Sequence, residues 1–399
     1  MTQEYIFGFN TLYNFFFEII TNTINSTIVS WILPNFSFNP GWIAYILSAL
    51  TISFLIFNAA LMGAAVYTWF ERRIMAKFQG RYGPNRWGPF GLLQPIADGI
   101  KSITKEDIIP TGADRVVFTI APIVMMIPGL LVFAFIPGHI NSMLGKINVG
   151  IAFVFGVTGM NTIAVIMAGW ASRNKYAMFG AMRSAAMLIT YEVPMALAIA
   201  GVILLSGSMS FNGIIEAQKI PFIVTQPIAF LVYMICATAE MSRAPFDMIE
   251  AESELGGGYH TEYSGMKFAI LQISEFMAPI VQSALCVVLF LGGFNGPDFI
   301  PGILWISLKI VLVLFILLWT RSTWPRLRVD QIMELAWKYL LPLALLNILL
   351  IATEMTIFDI TQSTSLWIMG IINWATILFI LALLSLFKNF NKKTVQQKY

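Results

Sequence analysis

Five carboxylates fall within fifteen positions of "AEMSRAPFDMIEAESELGGGYHTEYSGMKF", residues 239–268. They are Glu240, Asp247, Glu250, Glu252 and Glu254, and the only basic residue among them is Arg243. Two further acids stand in almost uncharged surroundings, Glu192 in "LITYEVPMALAIAG" and Glu275 in "LQISEFMAP". A carboxylate is costly to hold away from water, so residues of this type in apolar runs point to reversible protonation inside a protein or a water-filled cavity. The competing explanation for Glu192 and Glu275 is a structural hydrogen bond between helices. For the acidic knot it is a solvated loop. A helix starting at Pro245, a first-turn position that suits proline, would set Asp247, Glu250 and Glu254 on one face, where like charges repel. From spacing alone, both readings of the knot stand.

The elements that position these acids follow from composition. The chain has 399 residues, 58% of them hydrophobic and 11% charged, which excludes an ordinary soluble domain. A bilayer core of roughly 30 Å takes about 20 apolar residues per helix. Windows of that width predict nine spans, near 41–69, 116–136, 151–171, 186–206, 226–241, 267–292, 303–320, 338–357 and 366–387. The fold class is therefore an all-α polytopic membrane protein, with about nine transmembrane helices and large loops on the cytoplasmic side. Glu192 enters its span by about six residues, roughly 9 Å, and Glu275 by about eight, roughly 12 Å. Glu240 sits at the inner end of the span between them. Pro194 and Pro279, just after these two acids, loosen the local backbone.

Charge gives the orientation. The stretches 71–115, 172–183, 241–267 and 321–338 hold eight, three, two and four of the 24 Lys and Arg, whereas the loops between them hold only Lys146 and Lys219. The positive-inside rule places the basic stretches and the C-terminal tail in the cytoplasm or an organelle interior. The net +3 is this bias and not a nucleic-acid footprint. The segment before the first span, "FNTLYNFFFEIITNTINSTIVSWILPN", lies on the membrane or spans it, and its polar residues favour the surface. Without a basic n-region and a small-residue cleavage site, no cleaved signal peptide is expected.

Redox and metal ligands are scarce. Cys236 and Cys286 fall in different spans and no CxxC exists; His139 and His260 lie on opposite sides. An iron–sulfur cluster, a zinc site or a bis-histidine haem within the chain is not expected, so the metal ligands are none. "ELGGGYH" has no GxGxxG spacing. Lys309 lies about 9 Å from the outer end of its span, within reach of snorkelling. Glu354 and Asp359, near an outer edge, are expected to be solvated.

Two basic regions complete the inner face. "ERRIMAKFQGRYGPNRWGPFGLLQPIADGIKSITKEDIIP", residues 71–110, has Gly-Pro and Pro-Asn turns and apolar residues that suggest re-entry into the interface. Its Arg72, Arg73, Arg81 and Arg86 suit lipid phosphates or the acidic surface of a partner. In "RSTWPRLRVDQIMELAWK", Arg321, Arg326 and Arg328 precede Asp330. A generic juxtamembrane basic patch would explain the charge but not the embedded "GPNRWGP".

These motifs, with "GWASRNKYAMFGAMRSAA…YEVP" and "RLRVDQIMELAWKYLLPL", closely resemble the H-type membrane subunit of bacterial respiratory complex I, called subunit one in mitochondria. The resemblance runs in order from about residue 41 to 355, with Met-Ser in "AEMSRAPFD" where Thr-Asn is common. It implies a membrane subunit of a proton-translocating NADH:quinone oxidoreductase, at the junction of quinone site and pumping arm. Arg72, Arg81 and Asp98 would border the quinone channel. Glu240, Arg243, Asp247, Glu250, Glu252, Glu254 and Glu262 would form the loop after the fifth span. Glu192 and Glu275 would be the membrane acids, and Arg321, Arg326, Arg328 and Asp330 would lie near the junction. Quinone would be a substrate, with iron–sulfur clusters and flavin held only by partner subunits. The implied partners are hydrophilic iron–sulfur subunits, small membrane subunits and antiporter-like subunits, in a bacterial plasma membrane more than a mitochondrial inner membrane.

The chain then divides into an N-terminal amphipathic or membrane segment (1–40), the membrane domain of eight spans (41–357), and an extra helix with a basic tail (358–399). Two other readings stay open. The nearer is the homologous membrane subunit of an energy-converting hydrogenase or F420-linked dehydrogenase, against which "GYHTEYSGMKF" and "RYGPNR" speak. The farther is a free-standing proton-coupled transporter, although no inverted repeat or pair of broken helices is evident.

Overall fold

The structure, a computed structural model, describes residues 14, 15, 18, 41–137, 144–247, 257–296, 301–358 and 363–396. Among these the chain is mostly helical, with no strand, and it is an all-α polytopic membrane protein. The helices are α1 (Gly41–Phe78), α2 (Gln94–Thr104), α3 (Arg115–Phe135), α4 (Gly150–Ala171), α5 (Lys175–Ser206) and α6 (Phe211–Ala217). They continue with α7 (Phe222–Thr225), α8 (Pro227–Glu240), α9 (Gly265–Phe290), α10 (Gly302–Thr323), α11 (Val329–Ile357) and α12 (Ser363–Gln396). Seven of them, α1, α3, α4, α5, α9, α10 and α11, are long and apolar enough to cross a membrane.

Each of the nine sequence-derived spans falls on a helix, but the fifth and ninth are shorter as apolar rods. Helix α8 has 14 residues, about 21 Å against a core of roughly 30 Å. Pro221 and Pro227 interrupt the helix ahead of it, because proline cannot continue an i→i−4 ladder. The apolar part of α12 covers Thr364–Ile380.

Helix α5 corrects the expected boundary. It begins at Lys175, eleven residues before the expected 186, so most of the supposed loop 172–183 is helix. Asn174 caps it, its side chain accepting from the Tyr176 N–H at 2.9 Å, and "KYAMFGAMRSAAM" is rich in good helix formers. Glu192 therefore lies roughly 25 Å along the helix from its start.

Two helices form the interior. The most apolar stretch of α9 is 78% buried and that of α5 is 56% buried, against 11% for α1. Helix α5 packs on α4, α8 and α11, and α9 on α1, α3 and α10. The Tyr191 hydroxyl donates to the Ile332 carbonyl at 2.9 Å and ties α5 to α11. Gly180 lets the segment after α8 close on α5, since a Cβ there would sit 2.7 Å from the Gly258 Cα.

The first basic region folds back on the end of α1. Trp69 Nε1 donates to the Phe90 carbonyl at 3.0 Å, and the Arg73 guanidinium lies over the Phe90 ring at 5.0 Å. Gly91 adopts φ 76° where a Cβ would lie 2.4 Å from the Pro84 carbonyl oxygen, so only glycine fits the turn. Helix α2 follows, with Ile96, Ile100 and Ile103 exposed along one side.

Lys309 reaches the turn that follows α9. Its ammonium donates to the carbonyls of Leu291 at 2.6 Å, Gly293 at 2.9 Å and Asn295 at 2.9 Å, closing the C-terminal end of α9 from α10. Helix ends leave carbonyls without partners, and a cation there meets both the hydrogen-bond and the dipole requirement. Lys309→Met removes three donors at once. The expected outcome is a loss of roughly 1–3 kcal/mol, read as a lower temperature at which the chain drops out of its membrane assembly; an unchanged transition would count against the cap.

Candidate functional site

Of the acids that the sequence singles out, Glu192, Glu240 and Glu275 stand on α5, α8 and α9, three helices in contact with one another. Glu192 on α5 accepts from the Thr162 hydroxyl of α4 at 3.4 Å. Glu240 ends α8 and accepts from Gln282 Nε2 of α9 at 2.6 Å. The Gln282 side-chain oxygen in turn accepts from the Tyr233 hydroxyl of α8 at 2.9 Å. Glu275 on α9 accepts from the Tyr259 hydroxyl at 2.9 Å. Glu192 lies within electrostatic reach of Glu240, and Arg243 and Asp247 within reach of Glu275.

A cavity of about 40 Å³ adjoins Glu240, with Asn161, Ser274 and Gln282 in its wall. The buried Asn161 Oδ1 has no protein partner. Its wall is mostly apolar, but Asn161, Glu240, Ser274 and Gln282 offer polar partners in a space large enough for a water molecule.

A second cavity, of about 550 Å³, lies between α1, α2 and α9. Leu61, Ala64, Phe268, Ile273 and Phe276 supply apolar wall, while Arg72, Asp98, Tyr263 and Gln272 are polar. Arg72 Nη1 donates to Asp98 Oδ2 at 2.7 Å, joining the end of α1 to α2. Tyr263 stacks on Phe118 at 4.0 Å and its hydroxyl has no hydrogen-bond partner. Burial pushes the Tyr263 phenol up, so it remains a neutral donor. The Lys267–Asp107 pair at 2.9 Å fastens the start of α9 to the segment after α2.

Aromatic and charged groups gather around Phe276. It lines the large cavity, and the buried Arg243 guanidinium lies 5.1 Å from its ring. Tyr67 of α1 feels both Arg243 and Arg321. Arg321 forms an ion pair with Glu71, and both are largely buried.

The remaining expected site residues sit elsewhere. Arg81 is exposed and donates to Gln79 at 2.7 Å, away from the Arg72–Asp98 pair. Arg328 pairs with Asp330 at 3.0 Å on the surface, and neither they nor Arg326 line the two cavities. Glu262 accepts from Asn174 at 2.6 Å and anchors its loop to the start of α5. No helix starts at Pro245: residues 241–247 form turns, because the chain must reverse to bring Arg243 inward beside Phe276. Glu250, Glu252 and Glu254 lie outside the described residues, as do His139 and Asp359. Glu354 is not solvated; it is 4% exposed, covered by α12 and bonded to Asn373.

Several partners escape a reading of the sequence: Thr162, Tyr233, Tyr259, Gln282, Tyr67 and Glu71. One signal is available, since Gln282 follows Glu275 by seven positions and so shares its helix face.

Comparison with known proteins matches residues 50–352 to the NADH dehydrogenase family model. The chain is 48% identical over 303 residues to the H-type subunit of the NADH-quinone oxidoreductase of Dehalococcoides mccartyi (strain CBDB1), covering 76% of this chain and 86% of that one. It is 48% identical over 293 residues to the corresponding protein of Geobacillus sp. (strain WCH70), covering 72% and 88%. It is 47% identical over 293 residues to that of Bacillus mycoides (strain KBAB4), again covering 72% and 88%.

Gln282→Leu removes the amide donor to the Glu240 carboxyl and leaves the Tyr233 hydroxyl only its bond to the residue-282 backbone carbonyl. The expected result is a destabilisation of roughly 1–3 kcal/mol together with a shift of the Glu240 carboxyl vibration in infrared difference spectra. A spectrum identical to wild type would remove Gln282 from the acid line.

Proposed function

We propose, from the premise that the chain belongs to the NADH dehydrogenase family and is similar over most of its length to the H-type subunits of bacterial NADH-quinone oxidoreductases, that it shapes the quinone chamber and couples quinone reduction to proton movement. The observation that carries this reading is the cavity between α1, α2 and α9, one helix face away from Glu275. Its volume of about 550 Å³ suits a ligand of quinone size. Apolar wall residues fit a ring with a prenyl tail. The exposed Arg72 guanidinium on the cavity wall is a donor that a quinone carbonyl would take.

The chain works by electrostatics under this reading. Electrons reach the quinone from partner subunits that carry flavin and iron–sulfur clusters, and two electrons with two protons give the quinol. Negative charge developing in the chamber is felt by Arg243 behind Phe276. Arg243 also acts on Glu275, so the change alters proton occupancy at Glu275 and, through the hydrated cavity, at Glu240 and Glu192. Asp247 continues this line into the loop, where Glu250, Glu252 and Glu254 follow in sequence. Protons then pass towards antiporter-like partners in the bacterial plasma membrane. Arg321 and Glu71 hold α10 to α1 and brace the chamber from behind.

Two experiments test the halves separately. Glu192→Gln and Glu275→Gln are expected to assemble normally, since glutamine keeps the acceptor oxygen, yet to translocate fewer protons per NADH oxidised. Full pumping by both variants would sink the acid line. For the chamber, Arg72→Met is expected to raise the KM for quinone roughly tenfold with little change in assembly, the magnitude of one charged hydrogen bond. A photoreactive quinone is expected to label residues 71–110 or 257–276; labelling confined to partner subunits would take the chamber away from this chain.

A further inference from the structure

A second group of buried polar side chains lies far from the acid line, where α12 seats against α7, α8 and α11. Glu354 of α11 accepts from Asn373 Nδ2 of α12 at 3.0 Å, and the same amide donates to the Thr225 carbonyl at 2.8 Å. Gln226, next in the chain, donates to the Gly201 carbonyl of α5 at 3.0 Å. A Cβ on Gly201 would lie 2.8 Å from Asn347 Nδ2 and 3.4 Å from Gln226 Oε1, so both amides close on one point of α5. Asn347 shares a face of α11 with Glu354, seven residues or about 10 Å away. Gly370 draws α12 in, since a Cβ there would meet the Val224 carbonyl at 3.1 Å. All four polar side chains are nearly inaccessible: Asn347 0%, Gln226 1%, Asn373 1% and Glu354 4% exposed.

Counting donors against acceptors shows what this group lacks. Glu354 Oε1, Asn373 Oδ1, Asn347 Oδ1 and Gln226 Oε1 have no partner, whereas the only donor of the group without one is Asn347 Nδ2. Among the described residues no base or second acid balances the carboxyl: the surrounding stretches 193–206, 222–239, 341–353 and 363–380 hold no Asp, Glu, Lys, Arg or His. An ionised carboxylate here adds a charge to a site already rich in acceptors, and water alone brings no charge. A proton removes the charge and turns one acceptor into a donor. Glu354 lies three residues before the end of α11, on the side that the Lys and Arg bias marks as outer.

We propose that Glu354, with Asn373, Asn347 and Gln226, forms a second proton-binding site in the outer half of the membrane domain, exchanging with the outer side. It is independent of the quinone chamber and of the acid line, so failure of either reading leaves the other standing. Both Glu354 and Asn373 lie beyond the family match, which ends at residue 352.

The test uses the assembled complex in oriented membrane vesicles. A hydrophobic carbodiimide, which attacks protonated carboxyl groups, is expected to modify the peptide containing Glu354, and the adduct should be lost as outer pH is raised. Infrared spectra should contain a protonated-carboxyl band that shifts in D2O and is missing from Glu354→Gln. If Glu354→Gln fails to assemble, the pH-dependent adduct on the wild-type complex decides the question. Neither adduct nor band at any outer pH overturns the proposal. So does an adduct indifferent to outer pH, and so does suppression of the adduct by sodium at constant pH, which would make the site one for a metal cation.

Discussion

A carboxyl group placed among membrane helices has no water to satisfy it, so some other part of the chain must. Each described carboxyl held deep among the helices meets a donor from a different element. Glu71 of α1 takes Arg321 of α10, Glu192 of α5 takes Thr162 of α4, and Glu240 of α8 takes Gln282 of α9. Glu275 of α9 takes Tyr259 of the preceding loop, and Glu354 of α11 takes Asn373 of α12. Between helices in lipid the hydrophobic effect gives little preference for one neighbour over another, so such bonds and close backbone approaches select the arrangement. Four of the five acids thereby bind neighbouring elements of the chain together, and Glu71 joins α1 to the distant α10. The two most buried spans, α9 and α5, carry Glu275 and Glu192.

Helix α9 keeps two environments apart. Phe268, Gln272, Ile273 and Phe276 point to the large cavity, while Glu275 and Gln282 point to the acids. Only a helix with both faces in use can separate an apolar chamber from a protonatable line by the width of one backbone. Lys309 bears on the same element, because its three bonds to the end of α9 hold the rod in register with α10. The reversal at 241–247 places Arg243 at the remaining gap, with Phe276 on one side and Glu275 within electrostatic reach.

The helices are legible in the sequence because a long apolar run has few alternatives in a membrane protein. Glu192 and Glu275 are legible because charge is rare in such runs. Their partners are not: Thr162, Tyr259 and Gln282 are ordinary neutral residues whose pairing depends on which helices meet, and one sequence carries no direct record of that. The same limit explains one misreading. Distance from the end of its own span misplaces Glu354, because the α12 helix decides its surroundings. The early start of α5 at Lys175 is locally encoded by Asn174, and the basic residues beside it conceal it.

The kind of donor separates the acids into two classes. Glu71 faces a guanidinium, which favours the charged form of a carboxylate and has no acceptor to offer a neutral one. The other four face hydroxyl or amide groups, which carry both a donor and an acceptor. A hydroxyl can turn, and an amide can use its oxygen, so each partner can serve the carboxylate and the carboxylic acid alike. That pattern is what reversible protonation requires of a buried site, and an ion pair would defeat it. On this argument Glu71 belongs to the scaffold, while Glu192, Glu240, Glu275 and Glu354 have partners that suit the proton exchange proposed for them. The proposed coupling then asks of the chain only that a charge in the chamber reach the three acids on its own side of the membrane domain.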